Sequence, residues 1–251
     1  MKVKVIDFNI RNCNEDECGS IIERAPRLKK ITAPYDADVL GFQEYTPLWE
    51  DSIKKYFLNE YEIYNQYRSE GPFYEGTPIL WKKDKFDVLN KGCFWLSDTP
   101  SVMSGGYDTY GCNRVCLYVT LKEKQSGITF TYMNTHFGFG DENQVKSAKL
   151  IKKYASKVSN YPTIITGDFN MTQSSSGYLE FVKDMFDANT LTVNDRRDTF
   201  HGYLLPNANP MHIDYCFIDN KTKALNFKII DELDDGKFPS DHYGLYIELE
   251  V

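Results

Sequence analysis

The chain has 251 residues, 41% of them hydrophobic and 15% aromatic, with a formal net charge of -7 and a pI near 5.2. That length and apolar content suffice for one large core and exclude a disordered or fibrous chain, so a single domain over 1–251 is expected. The acidic balance argues against tight duplex nucleic-acid binding, which needs a basic face, yet allows phosphoester hydrolysis where metal ions neutralise the site.

Met1-Lys2-Val3-Lys4-Val5-Ile6 already reads as strand and is too poor in apolar residues for a signal sequence. No window approaches the length of a membrane span, so a cytoplasmic chain without membrane contact is expected. The six cysteines show no paired CxxC spacing, which favours free thiols.

Short β-like runs follow one another along the chain. Strands are predicted at Val3 to Asn9, Val39 to Glu44, Tyr61 to Gln66, Thr77 to Trp81 and Phe86 to Trp95. Further strands are predicted at Arg114 to Lys122, Ile128 to Thr135, Thr163 to Gly167, His212 to Ile218 and Leu245 to Leu249. Helices are predicted at Ile21 to Thr32, with Pro26 marking its first turn or a kink, and around Trp49, Ile53, Tyr56 and Phe57. A third begins with Asp141 as its cap, because Val145, Ala148, Ile151, Ala155 and Val158 recur at helical spacing. Val5-Ile6-Asp7-Phe8-Asn9 echoes Phe130-Thr131-Tyr132-Met133-Asn134, and two related halves would form a sandwich of two sheets flanked by helices.

The chemistry sits where the strands end. Gly167-Asp168-Phe169-Asn170 follows the apolar run Thr163 to Thr166 and puts a carboxylate and an amide two residues apart, on one face. Taken alone, the four residues read as a turn, because Gly, Asp and Asn tolerate tight backbone geometry. Five more polar strand ends shift that reading: Asn9, Gln43-Glu44, Asn134-Thr135-His136, Asp214 and Ser240-Asp241-His242. The chain has four histidines, and each lies in or beside one of these segments. Such residues suit metal-assisted phosphoester hydrolysis, which needs charge neutralisation and a positioned water; magnesium takes one or two carboxylates such as Glu44 with sparse additional oxygen ligands.

In this order, from Asn9 to His242, the motifs resemble the endonuclease/exonuclease/phosphatase superfamily, the group with the pancreatic deoxyribonuclease fold. The resemblance implies an α/β (α+β) chain, a four-layer α/β/β/α sandwich of two mainly antiparallel or mixed sheets flanked by helices. It implies Glu44 as principal metal ligand, with Asn9 and Asp241 at the metal site, and magnesium, or manganese in its place, as the cofactor. His136 is implied to contact the scissile phosphate. Asp168 and Asn170 are implied to orient the attacking water or assist the leaving group and to hold a phosphate oxygen. Asp214 is implied to pair with His242, the presumed general base; Asp168 is a competing base, so the pair and not one role is assigned.

Ile79 to Asp84, Phe94 to Ser97, Arg114-Val115 and Thr199 to Gly202 look like segments of compact bacterial members similar to the deadenylase and nocturnin branch. Trp81, Arg114 and His201 would then line the substrate side; the plain alternatives are a core tryptophan, a surface arginine and a turn histidine. A histidine at 136, where apurinic endonucleases carry tyrosine, disfavours that branch. Phe8 stands where Trp is frequent, and His212 where Arg is frequent.

The expected activity is metal-dependent hydrolysis of a phosphoester by in-line attack of an activated water, of the phosphodiesterase, nuclease or phosphatase type. The expected partner is a nucleotide, oligonucleotide or small phosphorylated metabolite, and the expected state a monomer. Two alternatives stand beside it: a small-metabolite or inositide phosphatase, and a catalytically inactive binding protein on the same fold. Phe73, Tyr74, Tyr107 and Tyr110 could stack bases, although core or loop packing accounts for most aromatic residues.

Overall fold

The structure, a computed structural model, describes all residues except 72, 73 and 109; Phe73 therefore lies outside the described residues. The first half of the chain forms β1 (Lys2–Asn9), β2 (Glu15–Asp16), β3 (Gly19–Ser20), α1 (Ile21–Thr32), β4 (Val39–Gln43), α2 (Glu50–Tyr56), β5 (Tyr61–Tyr64), β6 (Ile79–Lys82) and β7 (Phe86–Trp95). The second half forms β8 (Val115–Glu123), β9 (Thr129–His136), α3 (Asp141–Val158), β10 (Thr163–Asp168), α4 (Ser176–Phe181), β11 (Phe186–Asp187), β12 (Asp214–Ile218), β13 (Lys223–Ile230) and β14 (Gly244–Glu250).

Two six-stranded sheets result, ordered β13-β14-β1-β4-β6-β5 and β11-β12-β10-β9-β8-β7. Each has one parallel pair at its centre, β1 with β4 and β9 with β10, and is otherwise antiparallel. The sequence echo between the segments ending at Asn9 and Asn134 thus falls on β1 and β9, one strand from each central pair.

Strand periodicity explains the layers. On β1, Val3 and Val5 join the core between the sheets, while Ile6 and Phe8, with Ile10 just after the strand, pack with Leu28 of α1 and Ile53 of α2. On β10 and β12, Ile164 and Cys216 face the inner core, whereas Ile165 and Phe217 pack with Ile151 of α3 and Phe181 of α4. Each fully buried aliphatic side chain in these cores contributes about 1.5–3 kcal/mol. The order helix, sheet, sheet, helix is the expected four-layer sandwich. Among the described residues, no helix is long and apolar enough to cross a membrane. All six cysteines are unpaired.

Some expectations need correction. Pro26 lies in the second turn of the continuous helix α1, whose start is set by Ser20, its backbone N–H donating to Glu23 Oε2 at 2.8 Å. Asp141 is the first residue of α3 and not its cap; Gly140 holds the cap position at φ 97, which favours glycine. Ser176–Phe181 forms α4, a short helix that was not among the predicted elements. The edge strand β13 was also missed, because Lys223, Asn226 and Lys228 dilute its apolar signal and a bulge at Ala224/Asn226 breaks its alternation.

Candidate active site

The inner-face positions that carry Val and Ile in mid-sheet carry polar groups at one rim. Asp7 and Asn9 continue the phase of Val3 and Val5, and Asp168 pairs in register with His136 on one side and Asp214 on the other. Asn9 bridges the two sheets: its Nδ2 donates to Glu44 Oε1 at 3.1 Å and to Asp168 Oδ2 at 3.0 Å. Below it, Gln43 Nε2 donates to Asp7 Oδ1 at 2.7 Å and to Asn134 Oδ1 at 2.8 Å, a second crossing between sheets. Asn134 is thus a cross-sheet tie and lies two residues short of the rim.

Backbone geometry at the rim is unusual. Glu44, Asn170 and Arg11 all take positive φ, at 58°, 49° and 64°, and each directs its side chain from a strand end toward the same cavity. Gly167 is required where it stands: at φ 153° an added Cβ would sit 2.1 Å from the Thr135 carbonyl oxygen. The strand therefore runs through Asp168, and the turn comes afterwards, at Asn170. Asn170 N–H donates to Asp168 Oδ1 at 2.9 Å, closing that turn on the carboxylate it presents.

Loops are pinned from outside. The fully buried Arg24 on α1 donates Nη1 to the carbonyls of Ile10 (2.8 Å) and Pro239 (3.1 Å), joining the segment after β1 to the one before Asp241. Ser240 Oγ donates to the Asn9 carbonyl at 2.6 Å, and Trp49 Nε1 to that of Arg11 at 3.0 Å. These bonds fix Asn9, Arg11 and Asp241 around one opening.

That opening is a cavity of about 280 Å³ lined by Glu44, His136, Asp168, Asn170, Asp241 and His242. Arg11, Arg68, Glu75 and Arg114 line it too, with Phe139, Phe200, Met211 and Ile213 on its apolar parts. A larger surface groove of about 610 Å³ beside α3 is lined by Lys149, Lys153 and Lys221 and holds none of these groups, so volume alone does not locate the chemistry.

Charge at the site is arranged unevenly. His242 Nδ1 lies 3.0 Å from Asp214 Oδ2 and its Nε2 lies 3.7 Å from Asp168 Oδ2. Burial alone would lower the His242 imidazole, but Asp214, Asp168 and Asp241 outweigh it and raise it to about 10, so the ring is an imidazolium. Burial and the charge of Asp214 push Asp168 up to about 7. Burial, then the Arg114 and Arg68 cations, hold His136 well below its ordinary value. In the neutral ring, Nε2 accepts from Asn170 Nδ2 at 3.0 Å, which leaves Nδ1 to carry the proton.

Several buried polar atoms lack partners among the described residues, including Arg114 Nη1, Arg11 Nε, His136 Nδ1 and Asp214 Oδ1. Such atoms occur elsewhere in the fold too, at Trp81 Nε1 and His201 Nε2 among others, but Arg114, Arg11 and His136 line the cavity, where a ligand could satisfy them. Asp168, Asp214 and His242 bring ligand atoms within 4.8 Å of one another, a candidate metal-holding group by distance. A charged His242 already paired with Asp214 is a poor ligand. Glu44, Asp241 and Asn9 offer hard oxygen donors on the same rim, the chemistry that a divalent cation such as magnesium takes.

Two expected substrate residues are elsewhere. Trp81 is 2% exposed in the core between the sheets, where its ring packs among apolar side chains, so the core reading replaces the substrate reading. His201 is 1% exposed, its ring between Phe238 and Tyr243 at 4.3 and 4.2 Å, with Nδ1 accepting the Tyr203 N–H; it does not line the cavity. Arg114, by contrast, is brought to the cavity. Sequence reading missed Arg11, Arg68 and Glu75. Arg11 follows Asn9 by two residues and shared its signal, whereas the Arg68–Glu75 pair, 2.8 Å apart, sits in the loop between β5 and β6, where charge ordinarily means solvent.

A two-sheet sandwich whose central strands deliver acids, amides and imidazoles to one rim is the architecture of a hydrolase class. Residues 8–242 match the Endonuclease/Exonuclease/phosphatase family, and the chain belongs to that family. Its members include hydrolases acting on phosphoesters. An endonuclease/exonuclease/phosphatase from Bacteroides vulgatus is 28% identical with a TM-score of 0.90, the match covering 100% of this chain and 99% of the other. A mannosyl-6-phosphatase from Bacteroides thetaiotaomicron is 27% identical with a TM-score of 0.87, over 99% of this chain and 100% of the other. The human nocturnin catalytic domain, at 16% identity and a TM-score of 0.78 over 99% and 93% of the two chains, shares the fold. The matches span between 17% and 68% of the length of the curated relatives.

Proposed function

We propose that the chain, read as one catalytic domain, is a divalent-metal-dependent phosphomonoesterase acting on a small phosphorylated molecule. The observation that carries this reading is the placement of the Asp168 carboxyl, buried at the cavity with Oδ2 3.5 Å from His136 Nε2 and 3.7 Å from His242 Nε2, where burial and the charge of Asp214 push it up to about 7. A carboxylate tuned to that range is a competent general base near neutral pH.

Glu44, with Asn9 and Asp241, would hold the cation. When bound, magnesium or manganese would neutralise phosphate charge and acidify a water near phosphorus. Asp168 takes a proton from the attacking water as its oxygen bonds phosphorus and the ester oxygen leaves with the P–O electron pair. The imidazolium of His242, held by Asp214, faces the negative charge of the phosphoryl group. His136 donates its Nδ1 proton to a phosphoryl oxygen while Asn170 Nδ2 holds the ring by donating to Nε2, and Arg114 supplies fixed positive charge through its unpartnered Nη1.

A terminal phosphate is favoured over a polynucleotide by three arginines lining a cavity of only about 280 Å³, within an acidic chain. The phosphatase among the structural relatives is consistent with this. The test is hydrolysis of a monoester and a diester panel with magnesium, with manganese and with chelator. Monoester turnover that chelator abolishes is expected; turnover that survives chelation, or that Asp168→Ala leaves at the parent rate, overturns the reading.

A further inference from the structure

A single buried carboxylate connects the phosphate side of the cavity to its rim. Asp108 Oδ2 accepts Arg114 Nε at 2.9 Å, and Asp108 Oδ1 accepts the Tyr110 backbone N–H at 2.8 Å. The fit is close: a Cβ at Gly138, two residues after His136, would meet Asp108 Oδ2 at 2.5 Å. Tyr110 is consequently set relative to Arg114, although the residue is 74% exposed.

That ring is not isolated on the surface. It meets Phe139 edge to face, centroids 5.5 Å apart at 84°, and Phe139 is both a wall of the catalytic cavity and 42% exposed. Two aromatic rings are therefore held at the mouth of a charged cavity, continuous with it. Aromatic surface at the mouth of a polar cavity suits the apolar face of a ligand whose charged end enters that cavity.

Resting on the phosphomonoesterase reading, we propose that the Tyr110–Phe139 ring pair is the leaving-group subsite. It selects monoesters whose leaving group carries a rigid ring with an apolar face, a pyranose or a nucleobase, over acyclic polyol phosphates. Arg114 and Tyr110, joined through Asp108, set the distance between phosphate and ring. Both ring types stack on aromatic faces, and loss of such a stack costs about tenfold or more in binding.

The experiment compares hexose 6-phosphate, adenosine 5′-phosphate and glycerol 3-phosphate by steady-state kinetics, and by calorimetric titration of the chelated protein. Tyr110→Ala and Phe139→Ala should each lower the ratio of ring-bearing to acyclic kcat/KM about tenfold, chiefly through KM. Tyr110→Phe should restore the ratio, because the ring and not the hydroxyl makes the contact. The better substrate of the two ring types identifies the leaving group. A wild-type ratio near one, or a ratio unmoved in both alanine variants, overturns the subsite. Should no ester turn over, the phosphomonoesterase reading fails, and the titration decides the subsite: equal affinity for ring-bearing and acyclic esters overturns it.

Discussion

Asp214 Oδ2 and His242 Nδ1 lie 3.0 Å apart with both side chains buried, so a carboxylate stands behind an imidazolium that forms part of the cavity wall. Asp214→Asn keeps the shape and removes the charge that holds His242 protonated. We expect kcat to fall about 10²–10³-fold. The variant's pH–rate profile checks the origin of the loss, and because Asp214 raises the folded-state value of His242, the unfolding midpoint at neutral pH should fall as well.

Asp168 makes the opposite contribution to stability. Its folded-state value of about 7 lies above the 3.8 of the unfolded chain, so the folded state holds the extra proton between these limits. Stability of the metal-free protein therefore declines as pH rises from about 4 to 7. Asp168→Asn should abolish turnover while stabilising the chelated protein at pH 8 by about 2 kcal/mol. Thermal unfolding with chelator at pH 5 and pH 8 measures both sides of that expectation.

For His201 the sign reverses, because burial lowers it to about 4, below the 6.5 of the unfolded imidazole. The unfolded chain takes up the proton first, so stability is complete above about 6.5 and is lost as pH falls toward 4, by about 2 kcal/mol. Removing the ring with His201→Ala should flatten that dependence and lower the midpoint at pH 8, while KM stays within about threefold. A KM rise of about tenfold or more would return His201 to the substrate side.

Gly167→Ala tests the backbone at the site. The new methyl would meet the Thr135 carbonyl oxygen at 2.1 Å, on a strand hydrogen-bonded on both sides. We expect a loss of about 3 kcal/mol or more in denaturant unfolding, with activity falling alongside.

Legibility followed local pattern. The strand ends at Asn9, Gln43-Glu44 and Gly167-Asp168 were readable because apolar runs stop at polar residues, and β7 spans Phe86–Trp95 as predicted. The separation of roles among neighbours was less legible. His201 and Asp241 sit beside equally polar residues, yet one ring is enclosed by Phe238 and Tyr243 while the other side chain reaches the cavity. Trp81 misled because an aromatic residue at a strand end looks the same in sequence whether the sheet covers it or a ligand does. Arg68 and Glu75 gave no signal at all, since their burial depends on how the loop before β6 folds back over the site. These distinctions belong to tertiary packing, which one sequence does not encode in any short window.

The cross-sheet ties through Gln43 and Asn134 lie directly under the rim, and the rim itself takes Asn9, Glu44 and, just before β14, His242 from one sheet and Asp168 from the other. The catalytic constellation is therefore a vernier between two rigid plates: a slide of either sheet by a fraction of a residue would misalign it while leaving each plate intact. Turnover should consequently report inter-sheet alignment earlier than spectroscopic probes of secondary structure do.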